Sequence, residues 1–229
     1  MSNKNKSLAS NSQIVSRERV AAHGEVYTNA REVNAMLDLI PENACTHTAR
    51  YLEPSCGTGN FMAEILARKL VALDKLYLDG KVLVNQTHYE VNLVAVAGSL
   101  YGIELLADNV AFCRDRLLNQ LWAHYVHNFP ESFEGNLFDV LRFVLGKNIV
   151  HGDALAFTRQ DAGHENEAIV FCEWTLLPDY LISRCDFSFD GFAVETKKKG
   201  YSNKNKKEQP KVQPLLINSY APVFYLDLI

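Results

Sequence analysis

The chain has 229 residues, enough for one sizeable domain with small appendages, and its 48% hydrophobic content can supply a buried core. A formal net charge of −4 excludes a polycation, so any contact with nucleic acid has to come from a local basic patch. Residues 1–13 are polar and carry no secretion signal, and the longest apolar run, 91–100, falls short of the ~20 residues a membrane helix needs, so a cytoplasmic protein is expected. The five cysteines, Cys45, Cys56, Cys113, Cys172 and Cys185, include no C-x-x-C pair. Reduced thiols are expected, and neither a disulfide framework nor a metal site.

In chain order, residues 1–13 read as a disordered tail. Residues 14–22 read as a short helix carrying Arg17 and Arg19, and 23–28 as a turn. A helix is predicted over 31–39 from the spacing of Val33, Met36, Leu37 and Ile40, with Pro41 ending it. Residues 50–61, RYLEPSCGTGNF, read as a strand end, a glycine turn and a helix start. Gly57 and Gly59 permit backbone angles closed to other residues and let a ligand approach the main chain. The first amides of the following helix would face that ligand.

That helix is predicted over 61–78, with a turn at Asp79-Gly80 and a second helix over 89–99. Residues 100–105 read as a buried strand carrying Glu104 at its end. In nucleotide-binding α/β folds an acid there accepts hydrogen bonds from ribose hydroxyls. Glu104 lies ~45 residues past the glycine turn, against about 20 in the dinucleotide fingerprint. The spacing argues for an extra helix between the strands and against a plain NAD site. An amphipathic helix over 107–125 places Val110, Cys113, Leu117, Leu121 and Tyr125 near one face. A loop follows over 129–136, then a helix over 137–145 closed by Gly146. Residues 148–155 read as strand and turn, with Asp153 either a turn former or a ligand acid. Residues 168–173, AIVFCE, read as a further strand.

Residues 196–211 contain seven lysines and no aliphatic side chain, and read as a mobile loop. Lys197, Lys198, Lys199, Lys204, Lys206 and Lys207 are candidates for contact with nucleic-acid phosphates. Residues 213–217 and 222–228 read as two terminal strands of the same domain, which is placed over 14–195 and 212–229.

The string Glu53-Pro54-Ser55-Cys56-Gly57-Thr58-Gly59-Asn60-Phe61 resembles the S-adenosylmethionine loop of the adenine-amino DNA methyltransferases. Upstream, Gly24-Glu25-Val26-Tyr27-Thr28 is similar to that family's Gly-x-Phe/Tyr-Thr-Pro segment. Asn29 stands where the family has proline, a change expected to loosen the loop. Gly102-Ile103-Glu104-Leu105 resembles the ribose-binding segment, and Gly152-Asp153-Ala154 the segment whose acid bonds the adenine amino group. The resemblance covers residues 23–155. It implies an α/β, Rossmann-like methyltransferase fold with a mainly parallel sheet, incomplete or minimal. It also implies S-adenosyl-L-methionine as cofactor, held by Tyr27, Thr28, Glu53, Pro54, Cys56, Gly57, Gly59, Asn60, Phe61, Glu104, Leu105, Asp153 and Ala154. DNA would be the substrate, in a restriction-modification or defence setting.

The family's Asn/Asp-Pro-Pro-aromatic catalytic segment is missing; its position reads Cys172-Glu173-Trp174-Thr175. There Glu173 could accept the target amino group and Trp174 could stack on an extruded base, although Trp174 reads more strongly as core. The transfer chemistry is expected from Glu173 and Trp174 or from a partner subunit that also supplies target recognition. The alternative is a non-catalytic subunit that holds S-adenosylmethionine or DNA. A weaker third reading is methyl transfer to RNA or protein.

Overall fold

The computed structural model describes residues 19, 21, 28–41, 46–77, 85–131, 135–188 and 214–229. The tail over 1–13, most of the helix expected over 14–22, Tyr27, the turn at Asp79-Gly80 and the lysine-rich run lie outside the described residues.

The chain alternates helices and strands: α1 (Ala30–Leu37), β1 (Tyr51–Glu53), α2 (Asn60–Tyr77), α3 (Gln86–Gly98), β2 (Leu100–Glu104), α4 (Ala107–Asn128), α5 (Gly135–Asn148), β3 (Ile149–Asp153) and β4 (Thr158–Arg159). Strands β1, β2 and β3 are parallel and lie side by side in chain order, and β4 joins the far edge antiparallel. Parallel neighbours taken in sequence, each joined by a right-handed crossover, put their helices on one face of the sheet. Accordingly Leu100 and Ile149 share one core with Met62, Leu66 and Leu73 of α2, Leu117 and Leu121 of α4 and Val144 of α5. Helix α3 is the centre of that layer. Tyr89, Val91, Leu93, Val94, Val96 and Ala97 are all fully buried, so it is wrapped on every side rather than amphipathic. No described helix is long and apolar enough to cross a membrane.

Helix α1 starts at Asn29, whose side-chain oxygen accepts from the amides of Arg31 at 2.9 Å and Glu32 at 3.2 Å. The residue expected to loosen this loop is therefore a helix cap, which satisfies two otherwise orphaned donors. Gly146 does not end α5; the helix runs on to Asn148.

The strand read over 168–173 does not extend the parallel sheet. It becomes β5 (Val170–Leu176), which pairs antiparallel with β6 (Leu181–Ser188) across a turn at Pro178–Tyr180. Asp179 and Tyr180 both take φ of 60° in that turn. Strands β7 (Leu215–Ser219) and β8 (Val223–Phe224) complete this second sheet on β6. Only two residues of the strand expected over 222–228 are extended, because a 3-10 turn, Tyr225–Asp227, follows at once.

The second sheet is fastened by side chains. Phe171 and Ile169 cover Ile103 and Tyr101 on the face opposite the helices. The Cys172 amide donates to Asn148 Oδ1 at 3.0 Å, and Asn148 Nδ2 donates to the Gly98 carbonyl at 3.1 Å. Tyr225 is buried in the helix layer, where its hydroxyl donates to Glu90.

Candidate functional site

All three parallel strands end on an acid: Glu53, Glu104 and Asp153. Because the strands are parallel neighbours, these acids share the carboxyl edge of the sheet, where ligands of open α/β sheets sit. The glycine turn leaves β1 at the same edge.

The turn's two glycines have different reasons. Gly57 has φ +51° and Gly59 φ +83°, both left-handed. A Cβ on Gly59 would lie 2.7 Å from Cys113 Sγ, so Gly59 lets α4 pack close. Nothing lies within 4 Å of a Cβ placed on Gly57, so the main chain there is open to approach.

The turn is tied to β2 by two hydrogen bonds. The Cys56 amide donates to the Ile103 carbonyl at 3.0 Å, and the Gly57 amide to Glu104 Oε2 at 2.8 Å. Glu104 Oε1 accepts from the Leu106 amide at 3.0 Å and Asn109 Nδ2 at 3.4 Å. Glu104 is only 7% exposed, and these three donors satisfy most of its acceptor capacity. At the end of β3, Asp153 Oδ1 accepts from the amides of Leu155 at 2.8 Å and Ala156 at 3.2 Å, while Oδ2 has no partner among the described residues. Leu105 and Leu155, one and two residues past these acids, are exposed. Glu53 accepts from the Ser55 amide at 3.3 Å, but its burial outweighs this and pushes its carboxyl above the ordinary range.

Asn60 begins α2 and links the turn to the upstream segment. Its Nδ2 donates to the Thr28 carbonyl at 3.1 Å, and its Oδ1 accepts from Arg116 at 2.7 Å. Thr28, Glu53, Pro54, Gly57, Asn60, Glu104 and Leu105 thus gather around one turn and two strand ends, with Asp153 and Ala154 on the next strand end. Phe61 is half-buried against the helix core, and Ala154 packs against the Ile103 cluster. Sequence reasoning missed Asn109 and Arg116. No motif marks them: Asn109 reaches back five residues to Glu104, and Arg116 acts on Asn60, 56 residues earlier.

The structure narrows one expectation and corrects another. The Cys56 side chain is buried against Cys113, with its sulfur 3.0 Å from where a Gly102 Cβ would be. A hydrogen bond between the two thiols and burial hold Cys56 as the thiol, so only its main chain can meet a ligand. Glu173 and Trp174 are not at the glycine turn. Glu173 pairs with Arg50 at 2.5 Å, and Arg50 precedes β1. Trp174 packs against the core, as its stronger reading had it, over Gly98 just before β2 and edge-on to Phe143 at 6.0 Å. Both therefore mark the amino ends of the strands. The three residues of β1 put about 10 Å between them and the carboxyl edge. As strand neighbours they also point to opposite faces, so they cannot act on one target atom.

Comparison with protein-family models, with curated proteins and with solved structures finds no match to this chain.

Proposed function

We propose that this chain is an S-adenosylmethionine-binding module of the adenine-amino DNA methyltransferase type, with the groups for methyl transfer supplied by a partner subunit. One observation carries the reading: the open Gly57 main chain is bonded to the acid that ends the neighbouring strand, at the edge where Asp153 also sits.

The residues present fit the cofactor. Gly57 leaves room beside the turn, and the exposed Leu105 and Leu155 offer apolar surface for an adenine ring. Glu104 Oε2 takes one protein donor and keeps a lone pair for a ribose hydroxyl. Asp153 Oδ2, without a partner among the described residues, can accept from the adenine amino group. When bound, S-adenosylmethionine supplies the methyl sulfonium. The Glu104 carboxylate holds the turn in shape beforehand, so little ordering is left to the moment of binding.

A second reading, a non-catalytic S-adenosylmethionine- or DNA-binding subunit, is favoured by the position of Glu173 and Trp174. β5 brings no acceptor pair to the carboxyl edge. The deciding experiment is calorimetry of the chain with S-adenosylmethionine, followed by tritiated-methyl transfer to unmethylated DNA with and without co-purifying partner chains. Binding with partner-dependent transfer supports the first reading. Binding without transfer under any condition leaves the second, and no S-adenosylmethionine binding removes the first and leaves the second only as a DNA-binding subunit.

A further inference from the structure

A cleft of about 370 Å³ lies between the helix layer, the β3–β4 edge and the second sheet. Four permanent cations line it, each from a different element: Arg114 of α4, Lys147 of α5, Arg159 of β4 and Arg184 of β6. Two carboxylates, Asp161 and Asp186, share the lining, which leaves the cleft with two positive charges in excess on a chain whose net charge is −4.

The charges are sorted into pairs and remainders. Asp186 is taken by Arg184 through two bonds of 2.8 Å, with the Tyr220 hydroxyl at 3.1 Å and Cys172 Sγ at 3.0 Å. Asp161 is taken by Arg159 at 2.9 and 2.6 Å. Neither Arg114 nor Lys147 has a carboxylate within ion-pair distance among the described residues. Arg114 is nonetheless held firmly: its Nε donates to the Ile149 carbonyl at 2.9 Å, and its Nη2 to Gly146 and Ile149. Burial pushes this guanidinium below its ordinary value, with the Asp161 carboxylate across the cleft acting the other way. Lys147 sits at the end of α5 with its ammonium 5.3 Å above the Phe143 ring.

A fixed guanidinium and an ammonium in one polar cavity, neither with a carboxylate within ion-pair distance among the described residues, fit the geometry and charge of a phosphate group. The volume lies at the lower end of the ~300–1,000 Å³ typical of small-ligand sites, which suits a sugar-phosphate-sized group. We propose that this cleft binds a phosphate ester, with Arg114 and Lys147 donating to the phosphoryl oxygens and the Arg159 and Arg184 ion pairs fixing the walls. The phosphate comes either from a free sugar phosphate or from the end of a nucleic-acid strand.

The test is calorimetry on the full chain with three probes: ribose 5-phosphate, which carries no adenine, a 5′-phosphorylated trinucleotide, and the same trinucleotide with a 5′-hydroxyl. Phosphorylated probes should bind at least tenfold tighter than the hydroxyl probe. Tighter binding of the trinucleotide than of the sugar phosphate assigns the strand end, and the reverse the free ester. Lys147→Glu should weaken phosphate binding at least tenfold. Lys147→Met, which keeps the stem over Phe143, should weaken it by a smaller factor and guards against misfolding. Affinity unchanged in Lys147→Met, or no preference for the phosphorylated probe, overturns the proposal. The cleft uses none of the glycine-turn residues, so phosphate binding without S-adenosylmethionine binding would reject the methyltransferase reading alone.

Discussion

The Gly57 amide donates to the Glu104 carboxylate at 2.8 Å across 47 residues of chain. This one bond joins the turn after β1 to the end of β2. It turns a flexible glycine stretch into a shaped edge, because the same carboxylate also holds Leu106 and Asn109. Glu104→Gln keeps the shape but sets an amide donor against a main-chain donor. A buried group left without its partner costs about 1–3 kcal/mol. For a chain of this length that lowers Tm by roughly 2–12 °C. Thermal melting checks the stability, and calorimetry should show weaker S-adenosylmethionine binding in the folded variant.

The two glycines should respond differently to alanine. Gly57→Ala meets open space and costs only the left-handed backbone strain, about 1–2 kcal/mol, while blocking approach to the turn. Gly59→Ala carries the same strain and also collides with Cys113 Sγ at 2.7 Å, so it should be the more destabilising. Adding Cys113→Ala should recover part of the Gly59→Ala loss and none of the Gly57→Ala loss. A double-mutant cycle followed by chemical denaturation measures this coupling.

Glu173→Ala should leave S-adenosylmethionine affinity unchanged. Its partner Arg50 is largely exposed, so the lost ion pair is worth at most about 1 kcal/mol. A large fall in affinity from a folded Glu173→Ala protein would place Glu173 at the ligand and contradict its position at the amino ends of the strands.

Tyr225→Phe should destabilise the fold without touching the glycine turn. Glu90 is 3% exposed and accepts from Tyr125, Tyr225 and Gln86. Removing the Tyr225 hydroxyl leaves a buried carboxyl oxygen short of a donor, at a cost of about 1–3 kcal/mol. Denaturant titration should show a lower midpoint, with S-adenosylmethionine affinity unchanged in the folded protein.

Acid should act in two windows. Burial holds His47 below its ordinary value of 6.5, against a hydrogen bond to Asn92. The unfolded chain then takes the proton more readily, so this stability is present above pH 6.5 and lost as pH falls through the folded value. Burial pushes Asp186 up, but hydrogen bonds from Arg184 and Cys172 outweigh it and hold the carboxyl below 3.8. Its contribution is present above that value and lost only at lower pH. His47→Gln should flatten the stability profile just below pH 6.5 and leave the decline below pH 4 in place, as read from melting temperature against pH.

What the sequence determined by itself is local. Helical periodicity placed α2, α4 and the core of α5 to within a few residues, because it reflects which face of a single segment is buried. The glycine turn and the acids at the ends of β2 and β3 were legible from short strings of residues, although the Gly57–Glu104 bond that joins turn to acid spans 47 residues. Tertiary structure decided the partners. AIVFCE reads as a strand in either sheet, and only its pairing with β6 and the Asn148 bond to Cys172 put it in the antiparallel one. That choice carried Glu173 to Arg50 and Trp174 to Gly98. It also set Arg184 of β6 opposite Arg114 of α4 across one cleft. Such juxtapositions depend on contacts between distant stretches of chain, which no short window of residues encodes.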